Sequence, residues 1–254
     1  MLDATSCAAG AGKGAIVTGD LLHRWDLDEA EARALQRQLA GQVVREDRFG
    51  EIRTVAGVDL GFPTTPDGSV LGRAAVVVLS WPDLDLVEER VVEQPVTFPY
   101  IPGLLSFREA PVGLAAIESL EHRPDLLLVD GHGLAHPRRC GIACHLGLLL
   151  DLPTIGCAKS ILVGHAEEPG PNPGDWTPLV HRGETIGAAL RTRPKTKPIY
   201  VSIGHRVSLV SAIALVSRCG RGYRLPEPTR LADRIASRRG ERGARPAAHG
   251  EQGS

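Results

Sequence analysis

The 254-residue chain carries a formal net charge of −1 and contains no apolar run near the length of about 20 residues that a membrane span requires. These two facts argue against a membrane-embedded protein and against a uniformly basic nucleic-acid coat, so any nucleic-acid contact must come from a local patch or a metal ion. Five cysteines, an odd number in no framework-like spacing, suit a reducing compartment, and a cytoplasmic location is expected.

Residues 1–20 are Ala/Gly-rich and lack the contiguous apolar core of a signal peptide, so they are expected to form a flexible extension. In Asp26-Leu27-Asp28-Glu29 an acceptor side chain is followed three residues later by Glu, the pattern of a capping box. Ala32, Leu35, Leu39 and Val43 then recur at helical spacing and predict one apolar helix face to about Val44.

Thr54–Phe62 reads as a strand with Asp59 between apolar neighbours. Asp is depleted in strands, so either this strand lies at a sheet edge with Asp59 in water, or the carboxylate has a chemical use. Ala74–Trp81 and Leu86–Val96 predict two more strands joined by turn chemistry at Pro82-Asp83. Next, Phe98-Pro99-Tyr100-Ile101-Pro102-Gly103 presents a tyrosine on a loop stiffened by two prolines. That ring either plugs a core edge or is displayed. Leu104–Leu120 is a helix candidate carrying Arg108 and Glu109, with Pro111 able to kink it or reset its start.

Leu126–Val129 is a short apolar run bounded by turn residues, the pattern of a strand buried on both faces. It ends on Asp130, followed by Gly131-His132-Gly133, at the strand end where open α/β sheets place their chemistry. Gly141–Leu150 predicts a helix, and Pro153–Ala158 another buried strand ending on Lys159. Residues 164–178 read as a Gly/Pro-rich loop, Thr185–Arg191 and Ile199–Ile203 as strands, and Val207–Cys219 as a helix. Leu225–Arg230 reads as an extended stop before a final helical turn, Leu231–Ala236, which carries Asp233. The Arg/Gly/Ala-rich stretch 237–254 has no apolar periodicity and is expected to be a disordered tail. Hairpin strands followed by alternating strands and helices predict an α/β fold, a mixed sheet with helices on both faces.

Two constellations compete for a metal. His132, His136, Cys140 and Cys144 fall four apart and would suit zinc on one continuous helix, but Gly133 and Pro137 argue against that helix. Asp59, Glu109, Asp130 and Asp233 form the alternative. Crowded carboxylates repel unless a divalent cation neutralises them, and hard oxygen donors select Mg²⁺ or Mn²⁺.

Five segments bear on the choice: VAGVDLGF (55–62), FPYIPGLLSFRE (98–109), VDGHGLAHPRR (129–139), PTIGCAKS (153–160) and LPEPTRLAD (225–233). In order and spacing they resemble the signature blocks of the endonuclease V family, over a catalytic domain at residues 21–236. The resemblance implies a ribonuclease-H-like fold and a metal-dependent nuclease. Such enzymes cleave DNA containing deoxyinosine at the second phosphodiester bond 3′ to the lesion, and some members act on inosine-containing RNA.

Carried onto this sequence, the resemblance makes Asp59 and Asp130 metal-binding aspartates and Glu109 the catalytic glutamate, itself among the metal ligands. Asp233 falls at a position where family members carry Asp or His, and it is expected to join the same metal site. Lys159 matches a lysine near the scissile phosphate. Pro99, Tyr100, Ile101 and Pro102 match a wedge that separates the strands, and Leu105, Gly131, Gly133, Ile142 and Leu162 match the pocket for the flipped base. His136 matches the histidine of the AHP segment. Mg²⁺ is the expected cofactor with Mn²⁺ as a substitute, inosine-containing DNA the expected partner, and a monomer the expected state. A related ribonuclease-H-like nuclease would lack the Pro-Tyr-Ile-Pro loop, and a silent nucleic-acid-binding module would tolerate loss of the acids.

Overall fold

Helix α1 (Glu29–Ala40) begins where Asp28 accepts the backbone N–H of Glu31 and Glu31 returns the bond to the backbone of Asp28. The capping box is therefore Asp28/Glu31 and not Asp26/Glu29. The helix stops at a Gly41 C-cap, short of Val44, because glycine favours helix ends over helix interiors. The computed structural model describes residues 23–237. The N-terminal extension expected at 1–20 lies outside them, as does the tail apart from Ser237.

After α1 come strands β1 (Thr54–Gly61), β2 (Leu71–Ser80) and β3 (Leu86–Pro95), then helix α2 (Leu105–Glu118). Strand β4 (Leu126–Val129), helix α3 (Ile142–Leu150) and strand β5 (Thr154–Ala158) follow. The chain closes with β6 (Trp176–His181), β7 (Glu184–Leu190), β8 (Ile199–His205), α4 (Leu209–Arg218) and α5 (Glu227–Ala236). The strands form one eight-stranded sheet in the order β3-β2-β1-β4-β5-β8-β7-β6. β1, β4 and β5 run parallel, while β2, β3, β8, β7 and β6 join by antiparallel pairing. This is the mixed, ribonuclease-H-like sheet expected.

Alternate residues feed opposite faces, as the pleat requires. Ala56, Val58, Val76, Val78, Leu127 and Val129 pack with Ala110, Leu114 and Ile117 of α2 and Leu146 and Leu149 of α3. Val55, Ala75, Val77, Leu126, Leu128 and Ile155 pack on the other face with Ile213 and Val216 of α4 and Ala232 and Ile235 of α5. Cover on both faces explains why all four residues of β4 are buried and apolar.

Three further elements depart from expectation. β6 occupies the end of the stretch read as loop; as an edge strand it tolerates Pro178, whose missing N–H weakens a strand signal. Helix α5 starts at Glu227 with Pro228 in its first turn, where a proline costs no hydrogen bond, so the segment read as extended is mostly helix. Helix α2 starts at Leu105 and continues past Pro111, which therefore does not reset its start. Among the described residues no helix is long and apolar enough to cross a membrane.

Candidate active site

The site begins with register. β1 and β4 pair in parallel with Val58 opposite Val129, and the Asp130 N–H donates to the Val58 carbonyl at 2.9 Å. The next residue after each is an aspartate, so Asp59, near the end of β1, and Asp130, just past β4, stand side by side. Because β1 lies between β2 and β4, Asp59 is not on a sheet edge. A Cβ on Gly57 would lie 2.1 Å from the backbone of Pro228, so only glycine lets the start of α5 rest directly on β1. Gly57 and Asp59 share a strand face, and α5 crosses that face carrying Asp233. One carboxylate oxygen from each of Asp59, Asp130 and Asp233 consequently lies within 4.8 Å of the others. Lys159, just past the end of β5, places its Nζ 2.6 Å from Asp130 Oδ2 and 2.7 Å from Asp233 Oδ1.

The electrostatics match this crowding. Burial, then the neighbouring Asp130 charge, pushes the Asp59 carboxyl up to about 7. Glu109 is raised to about 8 by burial first and by Asp59 and Asp130 next. Glu109 approaches from α2 on the opposite face of the sheet and is outside the three-carboxylate group. Three carboxylates facing one ammonium leave an excess of negative charge that a divalent cation would neutralise, and the donors are all hard oxygens. The alternative zinc set is not assembled: α3 starts only at Ile142, and the His132 ring bonds the Ser160 carbonyl instead. Among the described residues the three aspartates are the group able to hold a metal.

The tyrosine loop leads into α2, the helix that carries Glu109. Phe98 and Leu104 are buried with Phe107, while Tyr100 between them is 71% exposed, so Phe98 fills the core and Tyr100 is displayed. Two guanidinium groups brace the loop: Arg108 Nη1 donates to the Phe98 carbonyl at 2.8 Å and Arg138 Nη2 to the Gly103 carbonyl at 2.5 Å. Arg138 is itself held by Gln36, and its backbone N–H donates to His136 Nδ1 at 3.2 Å. Burial first, and then Arg138, lowers the His136 pKa to about 4, so the ring is neutral at physiological pH. Pro99 and Pro102 are exposed and Ile101 is half-buried.

Among the residues expected to form a base pocket, one close approach is defined by the backbone. Gly131 abuts Ile142, since a Cβ on Gly131 would lie 2.6 Å from Ile142 Cγ2. Gly133 is buried, with its Cα turned to the Ile203 carbonyl, so its lack of a side chain serves packing against β8. Leu105 is half-buried at the start of α2, and Leu162 is exposed on the loop after β5. A cleft of about 400 Å³ lined by Arg48, Arg123, Asp151 and Arg206 lies at the other end of the parallel strands, away from the acids. Asp130 and Lys159 thus follow the C-terminal ends of β4 and β5, with Asp59 near the end of β1. Sequence reasoning missed Arg138 and Gln36: both work through contacts more than a hundred residues distant in sequence, or to a backbone carbonyl, which leave no local pattern.

The family model for endonuclease V matches residues 37–234. The chain belongs to the endonuclease V family. Endonuclease V of Roseiflexus castenholzii is 58% identical over 216 residues, covering 85% of this chain and 95% of that one. The crystal structure of endonuclease V from Streptomyces avermitilis superposes with a TM-score of 0.78 at 43% identity, covering 84% of this chain and 92% of that one. Endonuclease V of Ciona intestinalis, solved with a 24mer DNA containing an inosine followed by a ribo-adenosine, has a TM-score of 0.68 at 28% identity, with coverage of 82% and 95%. Members of the endonuclease V family are nucleases that hydrolyse phosphodiester bonds of DNA, and the acidic cluster accords with their dependence on metal.

Proposed function

We propose that this chain cleaves DNA containing deoxyinosine at the second phosphodiester bond 3′ to the lesion, using Mg²⁺. The observation that carries the reading is the joining of Asp59, Asp130 and Asp233 within 4.8 Å, in a chain that also displays Tyr100 on a braced loop. The Ciona relative bound to inosine-containing DNA supports the choice of substrate. The three aspartates would hold Mg²⁺, or Mn²⁺ in its place, and such an ion polarises a phosphodiester and lowers the pKa of an attacking water. Lys159, an ammonium held against Asp130 and Asp233, stabilises negative charge growing on the phosphate oxygens. Glu109, raised to about 8 by burial and by Asp59 and Asp130 in the absence of an ion, stands at the margin of the site. Tyr100 fills the space left by an extruded base, and the Gly131–Ile142 contact forms one wall of the pocket that takes it.

The test compares Mg²⁺-dependent nicking of inosine, uracil and undamaged duplexes, with an inosine-containing RNA as a further arm to read tolerance of ribose. Cutting should be confined to inosine substrates. Asp130→Asn should abolish it while inosine-DNA binding persists, because the tyrosine loop is untouched. Equal cutting of all three duplexes, or near wild-type cutting by Asp130→Asn, would refute the assignment.

A further inference from the structure

Lys159 follows Ala158, the last residue of β5 paired with β8, where Ala158 lies opposite Tyr200. Its backbone carbonyl is therefore beyond the ladder and needs a donor from elsewhere. Arg224 supplies it. Arg224 Nη2 donates to the Lys159 carbonyl at 2.6 Å and to the Pro198 carbonyl at 2.9 Å, while Nε donates to the Lys197 carbonyl at 3.0 Å. The Arg224 carbonyl in turn accepts from Thr192 Oγ1 at 2.6 Å. One guanidinium thus ties the exit of β5 to the entry of β8, and it does so from the segment leading into α5, the helix that carries Asp233.

We infer that Arg224 is a positioning residue for Lys159, which rests on the reading of Lys159 as the ammonium beside the scissile phosphate. A lysine side chain is a flexible four-carbon stem, and an ammonium works only where it is held. Here Asp130 and Asp233 hold the charged end and Arg224 holds the backbone from which the stem springs. Displacing that anchor moves Nζ relative to both acids. The planar fork of donors is what the three carbonyls require; a lysine at position 224 keeps the charge but offers a single nitrogen in place of two that are set apart. Among the described residues no carboxylate hydrogen-bonds the Arg224 side chain, and the bonds it makes are to backbone carbonyls.

The experiment is a double-mutant cycle on full-length protein with Mg²⁺ and an inosine duplex, measuring the single-turnover rate at saturating enzyme and, separately, the Kd. Arg224→Ala is expected to lower the rate by about 10- to 100-fold, as small misplacements of reacting groups do, with Kd within about threefold of wild type. In a Lys159→Ala background the same substitution should cost less than about twofold, because the group it positions is gone. Arg224→Lys should resemble Arg224→Ala, and its cycle replaces the alanine one if thermal melts show that Arg224→Ala is unfolded. The inference is overturned by equal rate losses in both backgrounds, by a loss confined to Kd, or by full rescue with lysine, which would make Arg224 a charge on the DNA path. A Lys159→Ala protein of wild-type rate would instead overturn the reading of Lys159 itself.

Discussion

Tyr100 leaves most of its surface in solvent although the loop around it is held by buried Phe98 and Leu104 and by two arginines. A large ring on a braced loop retains little conformational entropy, so it can stack on a base without first being ordered. Base–aromatic stacking is worth roughly 1–3 kcal/mol by alanine substitution, and Tyr100→Ala should therefore weaken inosine-duplex binding about tenfold to a hundredfold. A single-stranded inosine substrate, which needs little strand separation, should be affected less. The thermal midpoint should stay within a degree or two of wild type, since the removed ring is not core. Unchanged duplex affinity in fluorescence anisotropy would remove Tyr100 from recognition. The sequence showed the rigid presentation of this residue through its flanking prolines, but which of Phe98 and Tyr100 would turn inward depended on the space left by α1 and α2.

At the scale of elements, the site is a meeting of strand ends with a helix laid across them. The seat is Gly57, where the α5 backbone at Pro228 occupies the space of a side chain. Gly57→Ala forces a methyl group into that space, and overpacking of this kind costs about 1–3 kcal/mol. Because α5 carries Asp233, lifting the helix should also spread the three carboxylates. The expected result is lower stability in urea together with a higher Mg²⁺ concentration for half-maximal nicking. A variant as stable as wild type with an unchanged Mg²⁺ requirement would show that α5 does not depend on this seat. Strands β1 and β4 were legible from their apolar residues, with Asp130 ending the β4 run and Asp59 interrupting that of β1. Helix α5 was not: its two prolines mask the start, and its contact with Gly57 spans most of the chain.

Across the whole molecule, stability responds to groups that burial holds in one protonation state. His145 is fully buried on α3, its Nε2 2.8 Å from His23 Nε2 and its ring beside Trp25 and Phe107. Burial first, and His23 second, lowers its pKa from 6.5 to about 3. Above the unfolded value both states are neutral and the group is silent. As pH falls below it the unfolded chain takes up a proton that the folded chain refuses, so stability declines down to the folded value. Asp59 and Glu109, raised to about 7 and about 8, act in the opposite sense and favour the fold as pH drops through those values. Comparison with a His145→Phe variant isolates the histidine. Between about pH 6 and 4 the variant should lose less stability than wild type, by about 1 kcal/mol per pH unit at most. Parallel urea-stability curves over that range would show that His145 is not the titrating group.

By itself the sequence determined the secondary elements with strong periodicity, the mixed α/β class, the candidate acids and the family likeness, because each is written in residues close together along the chain or in blocks of fixed spacing. Only the tertiary structure decided that Asp59 lies inside the sheet, that Asp233 joins Asp59 and Asp130 while Glu109 stands outside that group, and that Lys159 is anchored by Arg224. Each of these depends on strand order, on a close backbone approach at a glycine, or on a hydrogen bond to a main-chain carbonyl. Such contacts arise from how the sheet and its helices stack, and a carbonyl is the same in every residue, so no side-chain pattern along the chain announces them.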